Sequence, residues 1–138
     1  MAIIEELSSV ERNTVSLVHQ LGTSSTNAEY GATPQSLFSY DLSFWYESAR
    51  ITWSFEVSND AKNRGTATGL YIDGILVDNE SRIEPKDSRN NYYQTKVFEY
   101  TFSPGLHTIE VRYGKVYGGG GSLANISNVR VFIDRVII

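Results

Sequence analysis

Cysteine is absent from the sequence, which removes disulfides, thiolate metal sites and thiol nucleophiles together and leaves the redox compartment undetermined. Histidine is scarce, with only His19 and His107 available for acid–base work near neutral pH. Positive charge is in deficit: the formal net charge is −4. A general polyanion binder needs clustered Lys and Arg to displace counterions, so nucleic acid is not expected as a partner. No apolar run approaches the ~18 residues of a membrane helix, so no membrane contact is expected either. The opening "MAIIEELSSVERN" is acidic where a secretory leader is basic and then apolar, and the expectation is a protein made and kept in the cytosol, or released from it by something other than secretion.

What is present is β patterning. A chain of 138 residues suits one domain with a core of its own. "RITWSFEV" places Ile51, Trp53, Phe55 and Val57 on one face and Thr52, Ser54 and Glu56 on the other. "GLYIDGILVD" reads as two strands around Asp73-Gly74, a strong hairpin signal. "TKVFEYTF" groups Phe98, Tyr100 and Phe102, and "NVRVFIDRVII" groups Val129, Val131 and Ile133. In "TFSPGLHTIEVRY" the Ser103-Pro104-Gly105 turn leads into a strand. There His107, Ile109, Val111 and Tyr113 alternate with Leu106, Thr108, Glu110 and Arg112, and His107 reads as a packed edge residue. "NTVSLVHQLG" and "SLFSYDLSFWY" are further strands, while "IIEELSSVERN" has room only for a short helix. Segments of this length between Gly, Asn, Asp and Ser loops predict an all-β, antiparallel two-sheet β-sandwich.

The first forty or so residues differ in texture. The expected division is an N-terminal arm and first strand over 1–36, then the sandwich over 37–138. "GTSSTNAEYGATPQS", at 22–36, reads either as a surface loop or as an arm that orders against a partner.

Catalytic patterns fail one by one. The glycines at 118–121 lead into a strand, whereas a phosphate loop needs GxxxxGK[ST] before a helix. "DGILVDNE" lacks the EF-hand order, and a calcium ion on Asp78 and Glu80 competes there with plain solvated hairpin ends. Neither histidine neighbours a nucleophile elbow. The expectation is a protein that is not an enzyme and uses no cofactor.

Aromatic content points to binding instead: nine tyrosines, two tryptophans and six phenylalanines. Trp45 must face away from Phe44 and Tyr46, and Tyr92 and Tyr93 follow the polar "EPKDSRNN". Val136, Ile137 and Ile138 place three apolar side chains at the end of the sequence, where a neighbouring subunit would cover them. Trp45, Tyr92, Tyr93, Val136, Ile137 and Ile138 are the candidate partner-binding residues.

"GLYIDGILVD", "FSPGLHTIEVRY" and "ANISNVRVFID" together resemble the strand grammar of small jelly-roll or galactose-binding-like sandwiches. These occur in carbohydrate-binding modules and in bacteriophage virion proteins, and the resemblance spans Arg50 to Val136. It implies a jelly-roll-like fold and a non-enzymatic virion structural protein, foremost a capsid decoration (cement) protein. Such a protein is made in the host cytoplasm, binds the major capsid protein or another virion protein, and forms a homo-oligomer, with a trimer favoured. The alternative is a carbohydrate-binding module or receptor-binding tail adhesin with a glycan as partner.

Overall fold

The computed structural model describes residues 14–19, 23–44, 48–60, 64–83, 92–116 and 123–135. Trp45, Val136, Ile137, Ile138 and the short-helix segment at the start lie outside the described residues. Among the described residues the chain forms nine strands: β1 (Thr14–His19), β2 (Ser24–Thr26), β3 (Gln35–Phe44), β4 (Ser48–Asn59), β5 (Gly65–Ile72), β6 (Ile75–Ile83), β7 (Tyr92–Thr101), β8 (Gly105–Val116) and β9 (Ala124–Arg135). They build two antiparallel sheets. Sheet A runs β1-β9-β4-β7, with β2 also on β9, and sheet B runs β3-β8-β5-β6. This division of the strands between a five-stranded and a four-stranded antiparallel layer is a jelly-roll-like sandwich, so the expected fold is the observed one.

Period two does most of the work. Ile51, Trp53 and Phe55 of β4 meet Leu70 and Ile72 of β5 and Ile109 and Val111 of β8 in one core, all fully buried. Each such side chain contributes roughly 1.5–3 kcal/mol through burial. Asp73 and Gly74 both take positive φ, as a two-residue turn with the strands' own twist requires. In β9 the left-handed Asn128 marks a bulge, where pairing slips between Ser54/Arg130 and Glu56/Ser127. The extra residue resets the alternation, so Val129, Val131 and Ile133 and then Ile126 and Ala124 all point inward.

The two sheets are tied along one edge. Trp53, buried on β4, donates its indole N–H to Asp78 Oδ2 on β6 at 2.7 Å. Lys96 of β7 sits 3.4 Å from Asp78, 3.5 Å from Glu80 and 2.9 Å from the Asn79 carbonyl. The two carboxylates considered for calcium therefore have an internal ammonium as their cation.

Segment 23–34 is tied to the sandwich itself. β2 pairs with β9, Tyr30 N–H donates to the Lys115 carbonyl at 3.0 Å, and Lys115 N–H donates to the Ala28 carbonyl at 2.8 Å. Two glycines make the approach feasible. A Cβ on Gly114 would stand 2.7 Å from Tyr30 N and 2.8 Å from its Cα, and one on Gly69 would run into the Tyr30 hydroxyl.

Gly114→Ala is expected to lose about 1–3 kcal/mol in chemical denaturation, because the atoms in its way are hydrogen-bonded backbone. Gly31→Ala, with nothing within 4 Å, should stay within about 0.5 kcal/mol of the parent. A chain starting at Thr14 should melt as a sandwich. One starting at Phe38 loses β1, with buried Val15 and Leu17, and also Tyr30. It should fail to fold at 25 °C by circular dichroism.

Candidate functional site

Two regions of the surface stand out. The first is the end of sheet B where the β5–β6 turn meets the start of β8. His107 Nδ1 lies 2.6 Å from Asp73 Oδ2, and His107 Nε2 lies 2.6 Å from the Ser103 carbonyl oxygen. Asp73 Oδ1 accepts the Thr108 N–H at 2.9 Å, and the Thr108 hydroxyl donates to Asp41 at 2.6 Å. The Ser103 hydroxyl is 3.4 Å from Nε2, so an acid, an imidazole and a hydroxyl stand in order.

That order is not a nucleophile's triad. A carbonyl oxygen only accepts, so Nε2 must carry a hydrogen toward Ser103, and Nδ1 carries one toward the carboxylate. An imidazole protonated on both nitrogens cannot take a proton from the Ser103 hydroxyl. The ring is a cationic clasp between two turns. Burial opposes its charge, but the Asp73 carboxylate and the Ser103 carbonyl outweigh burial and raise its pKa above the ordinary histidine value. The Thr108 amide and then His107 hold the Asp73 carboxyl below its ordinary range. Beside the clasp two large aliphatic side chains face water, Ile75 at 68% exposed and Leu106 at 64%, while Leu76 lies over Gly69 on the outer face of sheet B. Among the described residues no group of three His, Asp or Glu side chains is placed to hold a metal ion.

The second region is the outer face of sheet A. On β7, Tyr93 and Val97 are 58% and 59% exposed, with Thr95 exposed between them. Register sets Glu56, Ser54 and Thr52 of β4 beside Tyr93, Thr95 and Val97, and Arg130 and Phe132 of β9 beside Ser54 and Thr52. The Thr95 hydroxyl donates to the Tyr93 oxygen at 3.2 Å. Together with a hydrogen bond to Ser54, it lowers the phenol's pKa below the ordinary tyrosine value. Tyr92, one residue earlier, points the other way. It is half-buried against the core, and its hydroxyl donates to Gln94 Oε1 at 3.0 Å. Of the candidate residues within the described regions, the structure therefore turns Tyr93 outward and Tyr92 toward the core.

The outer face of sheet B is differently furnished. Arg112 lies 4.1 Å above the Tyr71 ring and pairs with Glu110 at 2.8 Å, and the Tyr71 hydroxyl donates to that of Tyr30 at 3.0 Å. Burial raises the Tyr30 pKa. Nothing in the sequence signalled this stack, because its partners are 41 residues or more apart except for Glu110 and Arg112.

The clasp predicts a pH dependence. A histidine whose folded pKa is raised contributes stability that is complete below its unfolded value of about 6.5 and is lost as pH rises through the folded value. Asp73, lowered in the fold, contributes above about pH 4 and loses its contribution on acidification. Melting temperature should thus fall from about pH 6 to pH 9 in the parent relative to His107→Gln. Parallel profiles for the two proteins would show that the ring is not charged.

No family model matches the chain, and no curated protein matches its sequence. Its fold is similar to that of several solved structures. The CBM36-1 domain of a multidomain xylanase from the hindgut metagenome of Trinervitermes trinervoides has a TM-score of 0.52 at 17% identity, covering 91% of this chain and 100% of that one. Dimeric latent PorU from Porphyromonas gingivalis has a TM-score of 0.57 at 10% identity, covering 89% of this chain and 13% of that one. A structure of infectious bursal disease virus, Gx strain, gives 0.49 at 15% identity, covering 90% of this chain and 36% of that one. At such identities the likeness is one of fold, the two-sheet jelly-roll sandwich.

Proposed function

We propose that this chain is a non-enzymatic virion structural protein, a bacteriophage capsid decoration protein that is made in the host cytoplasm and seats on the shell through one end of its sandwich. The observation that carries the reading is the clasped end of sheet B. Ile75 and Leu106 are exposed there beside two neighbouring turns that the Asp73–His107–Ser103 hydrogen bonds hold together. Single exposed aliphatics are ordinary on a surface, but two large ones on one rigid end offer an apolar seat for another protein. The major capsid protein is the partner this reading implies. A homo-oligomer, trimeric by preference, would present several such ends at once, and multivalent attachment makes modest contacts collectively tight. The non-enzymatic part is supported at this site by the engagement of both His107 nitrogens, one with Asp73 and one with the Ser103 carbonyl.

A second reading, sugar binding, is favoured by the exposed Tyr93 ring on sheet A, and a xylanase's carbohydrate-binding module shares the fold. The two readings separate by experiment. The chain should cosediment with undecorated capsids of the virus that encodes it, and light scattering should show an oligomer at micromolar concentration. Ile75→Ser with Leu106→Ser should weaken capsid attachment about tenfold or more without lowering the melting temperature. A chain that stays at the top of the gradient would overturn the decoration role.

A further inference from the structure

The outer faces of the two sheets are not equivalent. Over sheet B, Tyr30 lies across Gly69 and Gly114, and Arg112 covers Tyr71. Over sheet A no described segment lies on the strands, and register alone gives its surface as a grid. One row is Ser16, Phe132, Thr52 and Val97, and the next holds Arg130, Ser54 and Thr95, with Glu56 and Tyr93 beyond. Toward the other end, Arg50 stands between Asp134 and Glu99.

We propose that this outer face of sheet A is a glycan-binding site for an uncharged oligosaccharide, with Tyr93 as the stacking platform and the hydroxyl and charged side chains of β4 and β9 as its hydrogen-bonding floor. The proposal rests on the sugar-binding reading above and gives it a place.

Three features of the face fit that ligand. First, the ring is exposed yet held. Thr95 and Ser54 both give hydrogen bonds to the Tyr93 oxygen, which fixes the ring's direction and leaves the phenol proton to donate. A tyrosine also stacks at low entropic cost, having few rotatable bonds. Second, Val97 stands two residues from Thr95 on the same face, so the strand alternates apolar surface for the C–H side of a sugar ring with a hydroxyl for its edge. Third, the charges alternate. Arg50 and Arg130 stand among Glu56, Glu99 and Asp134, so guanidinium donors and carboxylate acceptors are both at hand without a net field that would draw an anionic chain. A face carrying this much charge is a poor core for a protein–protein contact, whose centre is depleted of charged residues. A polyhydroxyl ligand takes both donors and acceptors, so a mixed surface of this kind suits it.

Affinity electrophoresis in native gels tests this, with gels holding soluble xylan, mixed-linkage β-glucan or galactomannan, and with dextran sulfate as the anionic control. At least one neutral polysaccharide should retard the parent, and dextran sulfate should not. Tyr93→Ala should weaken the retardation about tenfold or more with an unchanged melting temperature, while Tyr93→Phe, which keeps the ring, should retain most of it. Leu106→Ser, at the clasped end, should be retarded like the parent. If the parent is retarded and Tyr93→Ala is retarded equally, the assignment of the face fails and the sugar-binding reading survives. If no neutral polysaccharide retards the parent, or only dextran sulfate does, both fail.

Discussion

A tryptophan in the middle of a β-sandwich brings one polar atom into the core, and that atom must find an acceptor. An unpaired buried N–H costs roughly 1–3 kcal/mol. Trp53 meets this constraint across the layers: its indole on sheet A reaches Asp78 on sheet B. The carboxylate in turn lies at the sandwich edge, where Lys96 answers its charge and also takes the Asn79 carbonyl. One donor thus determines which strand edges face one another. The register of β7 on β4 brings Lys96 to the same carboxylate. With Lys96, Phe98 and Tyr100 turned inward, Tyr93, Thr95 and Val97 must turn out, because a slip of one residue would exchange the two sets. The proposed sugar face follows from the same choice that satisfies the indole.

The remaining surface divides by how it is held. Glycine at positions 69 and 114 lets Tyr30 lie against sheet B, and the resulting stack with Tyr71 and Arg112 occupies that face with the protein's own side chains. At the clasped end a charged imidazole joins two turns, which gives the exposed Ile75 and Leu106 a firm base. Sheet A, in contrast, presents a mixed polar surface with one fixed aromatic ring. An apolar end suited to a protein and a polar face suited to a hydroxylated ligand lie on different parts of one small domain, so each can be altered without the other.

Much of the fold was legible because alternation is a local property. Ile51-Trp53-Phe55-Val57, Val129-Val131-Ile133 and His107 through Tyr113 each show their buried face within a few residues. The Asp73-Gly74 turn announces itself because few residue pairs accept two positive φ angles in succession. Val15 and Leu17 carry the same alternation in a weaker setting, and they too are buried. β2 was not legible: three small polar residues have no pattern, and their pairing with β9, where Ser25 also donates to Asn125, is a long-range one.

The functional surfaces divide along the same line. By itself the sequence determined the class of fold, the strands that line the core, the position of the hairpin and the absence of thiol chemistry, since each depends on residue type and on spacings of a few residues. It also marked the Tyr92-Tyr93 pair without deciding between them. Only the tertiary structure decided that Tyr93 faces out and Tyr92 in, that His107 is a clasp with both nitrogens committed, and that Lys96 fills the charge beside Asp78 and Glu80. Each of those outcomes depends on groups brought together from different strands or turns, Lys96 with Glu80 at 16 residues, His107 with Asp73 at 34 and Tyr93 with Glu56 at 37. Proximity of that kind is set by which sheet edges meet, and no local pattern of side chains records it.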